Sequence, residues 1–352
     1  MLILSRNPRN SFRGGCQANS DYNCGDQLIY LGAKHLITEA LGGSQNIDFK
    51  QFDIYRAEHN PITYPSFYPW GDIDIIALAG SPWIWDQCLK SPKYQVLTNV
   101  LKRYPKIKKI ALGLGSCFTW EQYESMINNP LLSLQQVLNI SDDSCIQLID
   151  LYKQFDYITV CDHFCKLFFD KLGIESYDRF DASIYAYPHF SPLKSVRTDK
   201  KILWFIDPSQ GLSHSNLPFK NQDYIDYELN WAKENDADIY CNSSQSMLTL
   251  RKLGIQNSSF SVDLDFIYHK LSEYSEILSG RIHMAAMSFL ASIPKITILP
   301  VDTRFLTVTK LGVDVHFIDK VFTYDQEETF PLWTNIKTQE QEIIDNLRTV
   351  LS

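Results

Sequence analysis

The segment from Ser279 to Ala286 carries an arginine and a histidine two positions apart, after a short apolar run and at the start of a helical pattern. Backbone N–H groups at a helix start have no intrahelical partner, and the helix dipole favours an anion there. Arg281 would grip a phosphate or carboxylate through two hydrogen bonds, and His283 would supply a second donor or a proton. The same spacing is also expected if Arg281 forms an ion pair at the surface and His283 packs against a sheet. We take Arg281, Ile282 and His283 as a candidate anion site.

A second candidate lies near the start of the chain, in the N-x-G-D segment from Asn23 to Asp26. Gly25 would permit a close approach of the backbone, and Asp26 would cap the helix that it begins. Asp26 is also a candidate for positioning or deprotonating an acceptor hydroxyl. A plainly capped helix explains the same residues.

Three further candidates lie at predicted strand ends. Gly80 and Ser81 follow the apolar run 73–79, and Gly115 follows the run 107–114. Glycines at the carboxyl ends of strands leave room for a ligand, although ordinary tight turns also explain them. Arg304, which begins the helix after a later strand, either adds positive electrostatic potential to the site or pairs with Asp302 or Asp314.

The elements that must position these residues alternate between short apolar runs and amphipathic stretches, as in parallel sheets covered by helices. This pattern predicts an α/β fold with two Rossmann-like doubly wound domains, 1–190 and 197–335, a C-terminal helix at 336–352, and a cleft between the domains. A segment rich in proline and serine, 185–200, is predicted to link them. The predicted strands are 2–5, 47–52, 73–79, 107–114, 157–161, 201–206, 237–240, 276–279, 296–299 and 315–318. The predicted helices are 26–41, 95–104, 144–154, 163–172, 223–234, 245–253, 283–291, 303–311 and 339–351.

Composition excludes several classes of function. The formal charge of −8 argues against nucleic-acid binding, which needs clustered excess lysine and arginine. The eight cysteines include no C-x-x-C pair, and Cys161, His163 and Cys165 alternate in direction and lack a fourth ligand, so we expect no metal. No signal peptide and no apolar run of about 20 residues is present, which favours a cytoplasmic protein without a membrane span.

Taken in order, these motifs resemble those of the polysaccharide pyruvyl transferase family over roughly residues 20 to 315. The resemblance is most specific at 279–312, where an S-x-R-x-H segment precedes a small residue with proline, a β-rich strand, a D-x-[KR] helix start and a late L-G. The N-x-G-D turn fits the same family. Two positions depart from its pattern: Cys161 stands where an arginine is common, and Ala79 stands where a first glycine is common.

The resemblance implies a glycosyltransferase-B-like fold and a reaction with phosphoenolpyruvate as donor. An enolpyruvyl-derived unit would pass to hydroxyls of a sugar or related acceptor and form a cyclic pyruvate ketal, with no metal or added cofactor. Arg281 would hold the donor's phosphate or carboxylate, and His283 would be a donor contact and the general acid. A nucleotide-sugar glycosyltransferase of the same architecture and a noncatalytic anion-binding relative are the alternatives, and the sequence does not identify the acceptor or the oligomeric state.

Overall fold

The protein is divided into two compact units by the contacts among its Cα atoms. Unit 1 comprises Met1–Asn7, Ile29–Tyr185 and Asn335–Ser352, and unit 2 comprises Pro8–Leu28 and Ala186–Thr334. The sequence-based domain limits 1–190, 197–335 and 336–352 stay predictions. The computed structural model describes residues 2–5, 24–43, 47–53, 73–80, 83–85, 88–118, 122, 124–125, 128, 141–191, 202–205, 229–241, 244–256, 258–261, 263–298, 303–317, 320–322 and 329–352.

Unit 1 is built on a parallel six-stranded sheet with the strand order β2-β1-β3-β5-β7-β8. The described residues of its central strands are almost entirely buried, as expected for parallel strands that are covered on both faces. The strands are Leu2–Ser5 (β1), Lys50–Asp53 (β2), Ile75–Ala79 (β3), Lys108–Leu114 (β5), Tyr157–Val160 (β7) and Tyr177–Asp178 (β8), and a separate two-stranded ladder joins Ile84–Trp85 (β4) to Ser116–Cys117 (β6).

The helices of unit 1 follow its strands in the expected alternation. Helix α1 spans Cys24–Ala40, and its first five residues are grouped with unit 2. The N-cap side chains of Ser141 and Asp162 accept hydrogen bonds from backbone N–H groups at the start of the helices that follow them. The remaining helices of this half are Pro92–Arg103 (α2), Asp142–Tyr152 (α3) and His163–Lys171 (α4).

Unit 2 contains a seven-stranded sheet with the order β11-β10-β9-β12-β13-β14-β15. Its strand pairs are parallel except for the last, β14 with β15, which is antiparallel. Its elements are Ile202–Phe205 (β9), Asp238–Cys241 (β10), Ser244–Lys252 (α5), Ser258–Phe260 (β11), Leu264–Leu271 (α6), Glu276–Ser279 (β12), Ile282–Leu290 (α7), Lys295–Ile298 (β13), Leu306–Thr309 (α8), Asp314–Phe317 (β14) and Lys320–Phe322 (β15). The prediction of an α/β fold with two Rossmann-like units is therefore confirmed.

Some sequence-based boundaries were wrong. The predicted linker 185–200 begins within a 3-10 helix, Ala182–His189, whose Tyr185 is buried. The predicted helix 303–311 is shorter, because a 3-10 turn at Thr303–Phe305 leaves only Leu306–Thr309 as α-helix. Residues 223–228 of the predicted helix 223–234 lie outside the described residues, and residues 229–234 are helical.

The last helix, Thr329–Leu351 (α9), begins ten residues before the predicted start at Gln339. Proline is tolerated in the first turn of a helix, where its missing N–H is not needed, so Pro331 does not end the element. Trp333 then stacks on Phe289 of α7 with ring centroids 5.1 Å apart. None of the helices that the structure describes is long and apolar enough to cross a bilayer.

Polar contacts within unit 1 hold the later part of α9. His35 of α1 places its Nε2 2.7 Å from Oε1 of Glu340, and Arg179 pairs with Glu342 at 2.9 Å. The side chain of Glu340 is largely buried, so its charge depends on these partners more than a surface carboxylate does. The same helix also has a buried apolar face, which is formed by Ile336, Ile343, Ile344 and Leu347.

Replacing Glu340 by glutamine is expected to lower the free energy of unfolding at pH 7 by about 1 kcal/mol. Burial alone would raise the pKa of Glu340, but the hydrogen bond from His35 and the attraction of Lys337 outweigh it and hold this pKa below its usual value. Such a carboxyl stabilises the fold above its unfolded pKa of about 4.3, and the stabilisation is lost as pH falls through the folded pKa. In urea unfolding, the difference between wild type and variant should stay nearly constant from pH 7 to about 5 and shrink as pH falls from about 5 to about 3.

The exposed carboxylate of Asp345, on the same helix, provides the control. Asp345→Asn should change stability by less than about 0.5 kcal/mol. If the stability difference between wild type and Glu340→Gln did not shrink between about pH 5 and about pH 3, the carboxylate charge would not stabilise the helix contact.

Candidate functional site

The S-x-R-x-H segment lies at the carboxyl end of β12, the fourth of seven strands in the unit 2 sheet. Ile277 and Leu278 are buried in this strand, and α7 is buried from Met284 to Leu290, so the segment joins two apolar elements through a short polar turn. Arg281 is the N-cap residue of α7, with an extended backbone at φ −108° and ψ 116°. The structure therefore confirms the strand-turn-helix context in which Arg281, Ile282 and His283 were predicted to lie.

Gly25 packs directly against the ring of His283. A Cβ atom on Gly25 would lie 2.6 Å from both the Cβ and the Nδ1 of His283, and 2.7 Å from its Cγ. Real Cβ atoms are essentially never found this close to other heavy atoms, so only glycine fits at this position. The close approach predicted for Gly25 thus has His283 as its partner, and the two motifs that lie far apart in sequence meet within unit 2.

This contact also brings two helix N-termini together. Gly25 lies in the first turn of α1, and His283 is the second residue of α7. Each N-terminus carries backbone N–H groups without intrahelical acceptors and roughly half a positive charge from its dipole. With the half-buried guanidinium of Arg281 on the same turn, the arrangement suits a small anion.

The contact defines which edge of the imidazole faces the protein. The Cβ, Cγ and Nδ1 atoms of His283 form the edge nearest to Gly25. Nε2 is on the opposite side of the ring from Cγ, so it is the nitrogen that points away from this glycine.

Asp26 occupies a different helical position from the predicted one. Helix α1 begins at Cys24, two residues before the predicted start, so Asp26 lies inside the first turn and is not the capping residue. Its side chain is half-buried and follows Gly25 directly. A carboxylate in the first turn is favoured by the helix dipole, which explains an acid here without a capping role.

The predicted glycine turns have contacts within unit 1. Gly80 adopts a φ of +90°, and a Cβ there would lie 2.9 Å from Cδ1 of Ile29, so the position is filled by a side chain of α1. The carbonyl oxygen of Gly115 accepts hydrogen bonds from the backbone N of Trp83 at 2.9 Å and of Ile84 at 3.2 Å. Ser81 lies outside the described residues.

Arg304 lies in the 3-10 turn Thr303–Phe305 that follows β13 in unit 2, with a half-buried side chain. Asp302, one of the partners considered for it, lies outside the described residues. The position of Arg304 after the neighbouring strand is the predicted one, and its part in ligand binding stays a prediction.

Asp162 is a buried polar residue that links two segments of unit 1. It is completely buried, and its carboxylate accepts hydrogen bonds from the backbone N of Cys165 at 2.6 Å, and from the backbone N and Oγ of Ser116 at 2.6 and 2.9 Å. The carboxylate thereby joins the start of β6 to the turn after β7. Its position just before α4 was a signal for the cap, but no local pattern indicates Ser116 as its partner.

Trp83, Trp85 and Trp120 follow predicted strand ends, where an aromatic ring could stack on a sugar, but Trp83 and Trp85 are engaged in packing. Trp83 is 2% exposed, with its ring 5.9 Å from that of Tyr94 at 70°, and Trp85 packs on the same tyrosine at 5.8 Å. Burial raises the pKa of Tyr94 well above its usual value, and its hydroxyl donates to the carbonyl of Trp83. Trp83 is therefore a core residue, while Trp120 lies outside the described residues.

The two cysteines near β7 and the histidine between them differ in exposure. Cys161 and Cys165 are fully buried thiols, whereas His163 between them is exposed. Within the described part of the chain, no cluster of three histidine, cysteine, aspartate or glutamate side chains is arranged to hold a metal ion.

Several solved structures of sugar-processing enzymes are similar to the whole chain at low identity. The UDP-GlcNAc 2-epimerase of Methanocaldococcus jannaschii, in complex with UDP-GlcNAc and UDP, has a TM-score of 0.48 and 10% identity over 96% of this chain and 92% of that chain. A putative UDP-N-acetylglucosamine 2-epimerase from Listeria monocytogenes has a TM-score of 0.47 and 7% identity over 99% and 90%. The E. coli heptosyltransferase WaaC with ADP has a TM-score of 0.41 and 11% identity over 98% and 99%. No protein-family model and no curated protein matches the sequence.

Proposed function

We propose that the protein is a transferase that binds a small, phosphate-bearing donor at Arg281 and His283 and transfers a group to a hydroxyl of a sugar or related acceptor. The single observation that carries this proposal is the packing of Gly25 on His283, which joins the N-x-G-D and S-x-R-x-H motifs at two helix N-termini. The specific reaction we propose is pyruvyl transfer from phosphoenolpyruvate, with formation of a pyruvate ketal.

The proposed roles rest on the chemistry of these side chains and on their position at the start of α7. Arg281 binds the phosphate or carboxylate of the donor, where a planar guanidinium forms two parallel hydrogen bonds. His283 gives a proton from Nε2 to the methylene carbon of phosphoenolpyruvate, and the acceptor hydroxyl then forms a bond to C2 while losing its own proton. Phosphate leaves with the electron pair of the C2–O bond. A second acceptor hydroxyl then closes the ketal at the same carbon, and its proton passes to the departing phosphate.

Asp26 has the secondary role of acceptor base in this scheme. Its carboxylate follows Gly25 in the first turn of α1, next to the residue that contacts His283. An acid and a base on adjacent segments would allow one group to donate a proton while the other accepts one.

A nucleotide-sugar glycosyltransferase is the second candidate function. Two helix N-termini that meet at one point, together with an arginine, suit the diphosphate of a nucleotide as well as they suit phosphoenolpyruvate. UDP and ADP, which are present in similar structures named above, are suitable probes for this candidate.

Thermal unfolding with separate additions of phosphoenolpyruvate, UDP and ADP distinguishes these candidates. A ligand that binds only the folded state stabilises it by about 2.7 kcal/mol at a hundred times its Kd. Pyruvyl transfer predicts stabilisation by phosphoenolpyruvate. Stabilisation by UDP or ADP alone would favour the nucleotide-sugar reaction, and phosphoenolpyruvate binding without turnover on any tested acceptor would indicate an anion-binding relative.

Arg281→Ala is expected to weaken binding of the stabilising ligand by about 1.5–3 kcal/mol, the scale of a hydrogen bond to a charged group. This loss corresponds to at least a tenfold increase in Kd, measured by isothermal titration. Arg251, an exposed arginine in the last turn of α5 in the same unit, supplies a control of equal charge. Equal effects of Arg281→Ala and Arg251→Ala would mean that only net charge matters and that Arg281 does not contact the donor.

A further inference from the structure

We propose that Ser279 is a positioning residue that fixes the direction in which Arg281 leaves the backbone, an inference that rests on the proposed function. Ser279 is the last residue of β12 and is completely buried. Its Oγ accepts a hydrogen bond from the backbone N of Arg281 and donates one to the carbonyl oxygen of Arg281, both at 2.9 Å. One hydroxyl therefore contacts the backbone on both sides of the Arg281 Cα atom.

These two bonds restrain both backbone dihedral angles of Arg281. The amide N belongs to the peptide plane before the Cα atom and the carbonyl oxygen to the plane after it, so fixing both groups fixes the extended φ and ψ of this residue. The direction of the Cα–Cβ bond follows from the backbone. Ser279 thus fixes the direction in which the Arg281 side chain leaves the backbone, before any ligand binds.

The restraint extends into α7. The carbonyl oxygen of Arg281 also accepts hydrogen bonds from the backbone N of Met284 at 3.1 Å and of Ala285 at 3.2 Å, which are the first helical bonds of α7. Gly280, the residue between Ser279 and Arg281, donates its backbone N–H to the carbonyl of Phe205 at 3.4 Å. This bond connects the turn to the end of β9. A charged group on a fixed backbone loses less conformational entropy when it binds a ligand, which gives tighter binding.

The burial of Ser279 makes its hydroxyl difficult to replace. Alanine at this position would remove both hydrogen bonds, and water has no access to a completely buried site to restore them. Threonine would retain the hydroxyl. Ser288, in the middle of α7, is an equally buried serine whose Oγ donates to the carbonyl of Met284 at 2.7 Å, so Ser288→Ala is a matched control at a distance from Arg281.

The test is isothermal titration of the full chain with phosphoenolpyruvate and with inorganic phosphate. Ser279→Ala should raise the Kd about five- to tenfold, the size expected from one to two neutral hydrogen bonds. Ser279→Thr should bind to within about twofold of wild type, and so should Ser288→Ala. In an Arg281→Ala background, Ser279→Ala should cause no further loss, because the residue through which it acts is gone.

Hydrogen exchange at the backbone amide of Arg281 gives a readout that does not need a ligand. Ser279→Ala should make this amide exchange at least about tenfold faster, whereas Ser288→Ala should leave it unchanged. Unchanged protection, or an equal loss of affinity with and without Arg281, would overturn the positioning role. If the wild type bound neither anion, the proposed function would fail, and the exchange of this amide would still decide whether Ser279 orders the turn.

Discussion

Alanine at position 25 is expected to destabilise the protein by about 1–3 kcal/mol, the usual cost of overpacking a filled site. Within a helix, glycine to alanine normally stabilises by about 0.4–1 kcal/mol, because it reduces the entropy of the unfolded chain. Here the added methyl group would lie 2.6 Å from two atoms of His283, so the sign is reversed. Chemical unfolding measures the stability, and a displaced His283 should also cost most of the turnover.

A double-mutant cycle identifies the partner in this contact. His283→Gly removes the Cβ, Cγ and Nδ1 atoms that the new methyl group would meet. In that background, Gly25→Ala should lose its penalty and become neutral or stabilising. If the penalty were the same with and without the His283 side chain, the two motifs would not be in contact.

His283→Ala is expected to lower turnover by about 10²–10⁴-fold, the usual contribution of a positioned general acid. The side chain is half-buried at the start of α7, so its removal should cost much less in folding than in catalysis. Steady-state turnover with phosphoenolpyruvate and a sugar acceptor measures the first quantity, and urea unfolding measures the second. His269, an exposed histidine in the last turn of α6, provides the control for loss of an imidazole from the same unit.

Turnover by His283→Ala equal to that of wild type would exclude this residue as the acid. A loss in which KM rises while kcat is unchanged would instead assign His283 to donor binding alone. Both outcomes would leave the contact between Gly25 and the histidine in place.

The elements that carry the candidate site were predictable because each has a local signal. The run 276–279 and the helical pattern after it placed Arg281 and His283 on a strand-to-helix turn, and the structure has β12 and α7 there. Their boundaries agree to within one residue because apolar periodicity changes abruptly at this turn. The same signal was misleading at α9, which begins at Thr329 and not at the predicted Gln339. The added turns, where apolar periodicity is weak, include Trp333, which packs on Phe289.

The partners of these residues were not predictable, since they depend on tertiary contacts. Gly25 was expected to allow a close approach, but nothing near it in sequence indicates His283. Asp162 gave a clear signal for a helix cap and none for its bonds to Ser116. Trp83 follows a strand end as a ligand-stacking residue would, yet its burial is determined by Tyr94 and the fold around it.

A crystal structure of the protein with phosphoenolpyruvate tests the central claim most directly. We predict an anionic group of the donor within hydrogen-bonding distance of the Arg281 guanidinium, with Nε2 of His283 facing the methylene carbon and the opposite ring edge packed on Gly25. Donor bound elsewhere, or an Arg281 side chain turned away from His283 and from the ligand, would contradict the account.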